Sequence, residues 1–215
     1  MIDCEKRATI FSGEKCSMEQ FLRATDVIDW THPAVSSKAR ELTEGATDTY
    51  EIVMRCFEWV RDSIQHSVDF QRNPVTCSAS EVLASGTGYC YAKSHLLAAL
   101  LRANRIPAGF CYQRLSMDEA GASYCLHGLN AVHLPEIGWY RVDSRGNKPG
   151  ISAQFSPPAE KLAFHLRFPG EKDFLEILPN PLPVVVTALR KYSTWHALYK
   201  NLPDWDLPSL PGSAA

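Results

Sequence analysis

The pattern of hydrophobic and polar positions predicts that the first third of the chain is helical. Apolar residues recur at helical spacing in three stretches, 17–25, 34–45 and 48–66. The third stretch opens with Asp48 and Glu51, which form a helix start signal. Its broad apolar face consists of Ile52, Met54, Cys56, Phe57, Val60 and Ile64. We therefore expect a layer of helices at the amino-terminal end.

A second helical region surrounds Cys90. Ser78 and Glu81 have the spacing of a capping box and predict a short helix before the sequence "GTGYC". The residues after Cys90 predict a long helix that ends near Asn104, and its alanines allow close packing. We expect Arg102, in the last turn, to extend its charged end toward solvent. The apolar side of this helix carries Leu96, Leu97, Leu100 and Leu101.

The hydrophobic period changes after this helix. The segments "AGFCYQRL", "HGLNAVHL" and "GWYRVDS" are short, rich in β-forming residues and bounded by Gly or Pro, so they predict three strands. The last two form a hairpin through "PEIG". After Asp143 the chain is irregular and rich in proline. A final amphipathic helix is predicted at 184–200, followed by a frayed tail at 206–215.

These elements predict an α+β fold in one domain that spans residues 1–215. A helical amino-terminal layer would pack on a small antiparallel sheet, with the helix that carries Cys90 at the centre. The core would cover about residues 47–150. A carboxy-terminal wrap and helix would cover about residues 151–205.

Composition narrows the classes of function. The formal net charge of −2 gives no support to binding of nucleic acid or an anionic membrane surface. No apolar run approaches the roughly 18 residues of a membrane helix, and the first residues do not resemble a signal peptide. Seven cysteines, an odd number, favour reduced thiols in the cytoplasm over a disulfide framework.

Cys90 stands where a glycine turn becomes a helix, which suits a nucleophile. The first turn of a helix is the positive end of its dipole and favours a thiolate over a thiol. Its unpaired N–H groups could also stabilise an oxyanion. Gly86 and Gly88 would let the backbone approach a substrate closely. Cys90 could equally be a small packing residue, so a base must be found.

Two histidines on the second predicted strand are candidates for that base, His127 and His133. His95 lies on the Cys90 helix itself and would point away. If the hairpin turn centres near Pro135, His127 faces Asp143 on the next strand, with Cβ atoms about 5 Å apart. His133 would lie roughly 20 Å along the strand. The pattern therefore favours His127 with Asp143 as an oriented pair.

A zinc site is the main rival interpretation of these residues. Its ligands would be Cys111, Cys125, His127 and His133, which are residue types that zinc prefers. However, the sequence contains neither a Cys-x-x-Cys nor a His-x-x-x-His clip in this region. A nucleophilic cysteine therefore explains the pattern better than a metal.

The stretch 81–144 resembles the core of the transglutaminase-like superfamily, which is related to papain-like cysteine proteases. The resemblance rests on "GYC" at the helix start, then "AALLRANRIPAG", "HGLNAVHL" and "GWYRVD". It implies that Cys90 is the nucleophile, His127 the base and Asp143 the residue that orients the base. The flanking segments look like those of bacterial members with no assigned substrate. One departure is Gly128-Leu129 where the family has Ala-Trp, so an aromatic wall of the cleft would have to be supplied elsewhere.

The resemblance implies acyl transfer through a thioester on Cys90, with a peptide or protein as substrate. Hydrolysis of an amide is favoured because water is the default acceptor, with protein-glutamine transamidation or deamidation as alternatives. A non-catalytic binding module is a further alternative. No metal or organic cofactor is expected, and no acidic loop suits calcium.

Other residues are expected near the cleft. The side chain of Gln71 is favoured as second oxyanion donor because it lies on the loop before the Cys90 helix. The remaining options for that donor are Gln65, Asn73 and Gln113. Gly88 and Tyr89, beside the cysteine, are cleft candidates, and Trp139 is either a cleft wall or a packing residue.

Overall fold

The structure, a computed structural model, describes residues 17–205; the tail expected at 206–215 lies outside the described residues. The helices are α1 Pro33–Thr43, α2 Thr49–Ser63, α3 Ala79–Ser85, α4 Cys90–Ala103, α5 Pro183–Lys191 and α6 Trp195–Tyr199, preceded by a 3-10 helix, Met18–Leu22. The strands are β1 Gln65–His66, β2 Thr87–Gly88, β3 Ala108–Ser116, β4 Tyr124–Leu134, β5 Gly138–Val142 and β6 Lys172–Asp173. The α+β prediction is confirmed. None of the helices in this described range has the length and apolar character needed to cross a membrane.

The helix start signals act as their residue types predict. The side chain of Asp48 accepts a hydrogen bond from Glu51 N at 2.9 Å, and Ser78 with Glu81 forms a complete capping box. The final helix differs from the prediction because it is two helices. Tyr192 is extended, and the Thr194 side chain caps the start of α6, so the turn ends one helix and begins another.

Helix α4 is the centre of the molecule, and every residue from Cys90 to Arg102 is buried. Lys93 donates to the carbonyl oxygens of Arg61 and Ile64 at 3.1 and 2.6 Å, and so ties α4 to the end of α2. Arg102 does not extend to solvent as expected. It is fully buried and donates to the carbonyl oxygens of Arg23, Ala108 and Pro179. Helix α4 is therefore fixed at both ends.

The sheet has the strand order β5-β4-β3-β6, and all its pairs are antiparallel. Alternate residues of its strands point to opposite faces of the sheet and pack in two apolar clusters. Leu126 and Val132 belong to the large core that contains α4. Leu129 and Ala131 belong to a smaller cluster together with Phe21, Cys111, Trp139, Leu162 and Ile177.

The hairpin between β4 and β5 is shifted by two residues from the predicted register. His133 pairs with Trp139, and Asn130 pairs with Val142, which is the last pair of the ladder. Asp143 therefore lies one residue beyond the ladder and is not directly opposite His127. A separate parallel pair joins β1 to β2 and places His66 beside Gly88, two residues before α4.

Candidate active site

Cys90 is the first residue of α4 and opens onto a cleft of about 190 Å³. The preceding residue, Tyr89, caps the helix without a side-chain hydrogen bond, so the first N–H groups have no partner from that side chain. The cysteine is 7% exposed. His127 lines the same cleft. The thiol is thus sheltered yet reachable.

His127 and Asp143 form a short hydrogen bond despite the shifted register. The imidazole Nε2 donates to Asp143 Oδ2 at 2.7 Å, which leaves Nδ1 free to face Cys90. Asp143 is completely buried and also accepts from the backbone N–H groups of Arg145 and Ala163, each at 3.1 Å. The carboxylate is therefore held by groups from three segments.

The electrostatics of this group favour an ion pair. Burial by itself lowers the pKa of His127, but the charge of Asp143, the charge of Cys90 and hydrogen bonds to both raise it to about 10. Burial raises the pKa of Asp143, whereas the His127 charge and hydrogen bonds from His127, Arg145 and Ala163 hold it below its ordinary value. At neutral pH an imidazolium thus lies between a carboxylate and the sulfur.

Phe164 forms an aromatic wall of the cleft that the sequence pattern did not predict. Its ring packs edge-on against His127, with ring centroids 4.9 Å apart, and it lines the cleft. It comes from the irregular segment after Asp143, where no periodic pattern indicates which side chain faces the site. The departure at Gly128 has a different cause, the close packing of Tyr91, since a Cβ at Gly128 would lie 2.9 Å from Tyr91 Cδ1.

His66 is a second cleft histidine that the sequence interpretation missed. It is 7% exposed, it lines the cleft, and its Nδ1 lies 3.6 Å from Asp69 Oδ2. Burial, together with the positive charges of Arg145 and Lys93, holds the pKa of His66 well below its ordinary value. Its position in the sequence, on the segment between α2 and the turn before Cys90, is the feature that could have indicated a place near the site.

Other predicted residues fall in different places. Tyr89 lines the cleft, where it stacks near Tyr91 with ring centroids 6.5 Å apart. Gly88 is buried, and a Cβ there would meet Ala92 Cβ at 3.1 Å, so its small size serves packing. Gln71 is exposed and lies outside the cleft lining. Trp139 packs on Phe21 at the far end of the hairpin, with ring centroids 4.6 Å apart, because it pairs with His133.

The four residues of the zinc hypothesis do not come together. Cys125 and His127 line the cleft, whereas Cys111 belongs to the small apolar cluster and His133 lies beside Trp139. Within residues 17–205, no three His, Cys, Asp or Glu side chains are grouped so that they could hold a metal ion.

Comparison with known proteins gives a family and a fold. The family model of the transglutaminase-like superfamily matches residues 36–144. No curated protein sequence matches the chain. A candidate cysteine protease from Cytophaga hutchinsonii has a similar structure, with a TM-score of 0.50 and 17% identity, over 66% of this chain and 46% of that one.

A second solved structure is the periplasmic domain of TgpA from Pseudomonas aeruginosa. It has a TM-score of 0.45 and 22% identity, over 62% of this chain and 50% of that one. The chain therefore spans about half the length of these two structures. At such identities the likeness concerns the fold.

Proposed function

We propose, because the chain belongs to the transglutaminase-like superfamily, that it is a cysteine-dependent acyl-transfer enzyme. One observation carries the proposal: His127, which is hydrogen-bonded to the buried Asp143, lines the cleft onto which Cys90 opens. A nucleophile, a base and a group that orients the base are the three parts that such chemistry requires.

Before the first half-reaction Nδ1 of His127 has already taken the Cys90 proton, which leaves the sulfur as a thiolate beside an imidazolium. The thiolate attacks the carbonyl carbon of an amide, and the carbonyl oxygen becomes an oxyanion. The backbone N–H of Cys90 is positioned to donate to that oxyanion. The carbon–nitrogen bond then breaks, the leaving amine takes the proton from His127, and a thioester on Cys90 remains. Throughout, Asp143 holds the imidazole and stabilises its charged form.

In the second half-reaction water or an amine attacks the thioester. His127 accepts a proton from the attacking group, the carbon–sulfur bond breaks, and the thiolate is released. Water gives hydrolysis of a peptide or isopeptide amide, which is the outcome we favour. An amine gives transamidation by the same steps. We assign no role to Gln71 in this proposal, since the residue is exposed and lies outside the cleft lining.

A reducing compartment suits this chemistry. Cys56, Cys77, Cys90 and Cys125 are free thiols, as a cytoplasmic location would require. The substrate we propose is a peptide or protein, since aromatic and aliphatic side chains line the cleft, among them Tyr89, Tyr91 and Phe164.

The test uses p-nitrophenyl acetate, an activated ester that acylates nucleophilic cysteines without requiring a specific side chain. We expect a rapid burst of p-nitrophenol and an acetyl group on Cys90, read by peptide mass spectrometry. Cys90→Ala should abolish both, and His127→Ala should slow the burst by about 10²-fold or more.

Cys125→Ala is the matched control, because Cys125 lines the same cleft. It should acetylate like the unaltered protein. A burst that survives in Cys90→Ala would refute the proposed nucleophile. If no variant or parent protein is acetylated, the family fold serves binding instead of catalysis.

A further inference from the structure

The short strand β1 holds His66 at a fixed place in the cleft. His66 pairs with Gly88, two residues before Cys90, in the parallel ladder of β1 and β2. Ser67 N donates to Gly88 O at 3.0 Å, which fixes β1 against the turn that leads to the nucleophile. The imidazole packs edge-on against Tyr89, with ring centroids 5.9 Å apart. His66 therefore lies next to Cys90, yet no step of the acyl-transfer mechanism uses it.

His66 is buried in the lining of the cleft without a hydrogen-bond partner. Its side chain is 7% exposed, and Nδ1 lies 3.6 Å from Asp69 Oδ2, which is too far for a hydrogen bond. Arg145 and Lys148 each contact the Asp69 carboxylate at 2.6 Å and hold it in place. Within residues 17–205, no group forms a hydrogen bond with Nε2 either. A buried polar side chain that lines a cleft without a partner indicates a ligand that supplies the missing hydrogen bond.

The surroundings of the ring decide which nitrogen carries the proton. Burial and the positive charges of Arg145 and Lys93 hold the pKa of His66 well below its ordinary value, so the imidazole is neutral and has one N–H. The carboxylate of Asp69 attracts that proton to Nδ1, because a lone pair at Nδ1 would face a negative charge. Nε2, on the other side of the ring, then has a lone pair and can only accept a hydrogen bond.

The place of this acceptor limits the groups that it can bind. His127 must face the leaving nitrogen of a substrate, because it protonates that atom in the proposed mechanism. His66 belongs to a different strand, beside the first turn of α4, which leaves it for the acyl side of the attacked carbonyl. In a peptide the nearest N–H on that side is the main-chain N–H of the residue whose carbonyl is attacked. A glutamine side chain has only methylene groups at the equivalent position.

We propose that His66 Nε2 accepts a hydrogen bond from the main-chain N–H of the residue that acylates Cys90. Bound in this way, the substrate presents its carbonyl carbon, two bonds from that nitrogen, to the Cys90 sulfur. The inference rests on the proposed acyl-transfer function and narrows the acyl group to one from a peptide main chain instead of a glutamine side chain.

The first test determines the protonation of His66 in the unaltered protein. Two-dimensional NMR that correlates the ring nitrogens with the ring protons distinguishes the two neutral forms of an imidazole. We expect a neutral His66 at pH 7, with its proton on Nδ1. A proton on Nε2, or protons on both nitrogens, would overturn the proposal independently of any enzyme activity.

The second test compares two activated esters that differ in one group. N-Methoxycarbonylglycine p-nitrophenyl ester contains the N–H, and methyl p-nitrophenyl succinate has a methylene group in its place. Each rate of Cys90 acylation is divided by the rate of the same ester with a small free thiol, which corrects for intrinsic reactivity. We expect the unaltered protein to prefer the ester with the N–H by about tenfold, as the gain of one hydrogen bond predicts.

His66→Leu should remove this preference but leave the burst with p-nitrophenyl acetate, which has no N–H, unchanged. His66→Gln keeps a side-chain carbonyl that can accept a hydrogen bond and should retain part of the preference. His133→Leu is the matched control, since His133 lies outside the cleft, and it should keep the full preference.

The outcomes separate the role of His66 from the function on which it rests. Equal corrected rates for the two esters, or an unchanged preference in His66→Leu, would overturn this role while acyl transfer by Cys90 remains supported. An equal loss of rate with all three esters in His66→Leu would also overturn it, because His66 would then stabilise the oxyanion. A parent protein that no ester acylates would refute acyl transfer itself, and this proposal with it.

Discussion

Selective alkylation of Cys90 at mildly acidic pH is the prediction that follows most directly from the site. Cys90 and Cys125 line the same cleft, so a small reagent such as iodoacetamide can reach both. Burial raises the pKa of Cys125 to about 12. At pH 6 only about one Cys125 thiol in a million is therefore ionised. Cys90 begins a helix and shares the cleft with His127, whose raised pKa keeps it protonated at this pH.

The expected difference in alkylation rate between thiols follows from their ionised fractions. An unperturbed thiol, with a pKa of about 8.5, is about 0.3% thiolate at pH 6. A thiol with that fraction ionised would react about three thousand times faster than Cys125. The positive charge of His127 beside Cys90 should speed the alkylation of Cys90 at pH 6 by about tenfold or more.

The assay is a time course of iodoacetamide labelling at pH 6 and pH 8, with each modified peptide quantified by mass spectrometry. His127→Ala should slow the labelling of Cys90 at pH 6 by about tenfold or more, because the positive charge beside the sulfur is lost. His133→Ala is the matched control, since His133 lies on the same strand but beside Trp139 and outside the cleft. Labelling of Cys125 as fast as Cys90, or an unchanged rate for Cys90 in His127→Ala, would refute the ion-pair argument.

Three further predictions test the surroundings of the site. Asp143→Asn removes the charge that helps to raise the pKa of His127, so the imidazole signals in NMR should titrate at lower pH than the value of about 10 in the parent protein. Burial lowers the pKa of Lys93 to about 7, so above that pH the unfolded chain binds more protons than the folded protein, and the free energy of unfolding should rise from pH 7 toward pH 10 by up to about 1.4 kcal/mol per pH unit. Urea titrations should show no such rise for Lys93→Met. The same dependence of the free energy of unfolding on pH in this variant would contradict the assignment. Gly128→Ala places a Cβ 2.9 Å from Tyr91 Cδ1 and should destabilise the protein by about 1–3 kcal/mol in thermal unfolding. Unchanged stability would mean that the Tyr91 ring can move away from the new methyl group.

Local signals in the sequence located most of the fold. Capping residues such as Asp48 and Ser78 mark helix starts because the side chain and the N–H groups that it satisfies lie within three residues of each other. The pairing of His127 with Asp143 was predicted from the wrong register, yet the two side chains meet. A shift of two residues keeps the same face of the strand, and a short step beyond the ladder brings Asp143 within reach.

The features that could not be predicted depend on distant segments. Arg102 reads as a surface residue at a helix end, but three carbonyl oxygens from separate parts of the chain satisfy its guanidinium and allow it to be buried. Gln71 lies close to the site in sequence but is exposed. Phe164 is found only when the irregular segment after Asp143 folds back over His127. The residue pattern of a short stretch of sequence does not predict contacts between segments that are distant in the chain.

That returning segment has a consequence for how enzymes of this kind diversify. Ala163 steadies the carboxylate with its backbone, which any residue except proline can do, whereas the neighbouring side chains at 164 and 165 stand between the cleft and a second pocket beside it. Substitutions at 164 and 165 can therefore change the shape of the cleft while the backbone hydrogen bond to Asp143 is kept. Substrate recognition could therefore change during evolution while the proposed chemistry at Cys90 is retained.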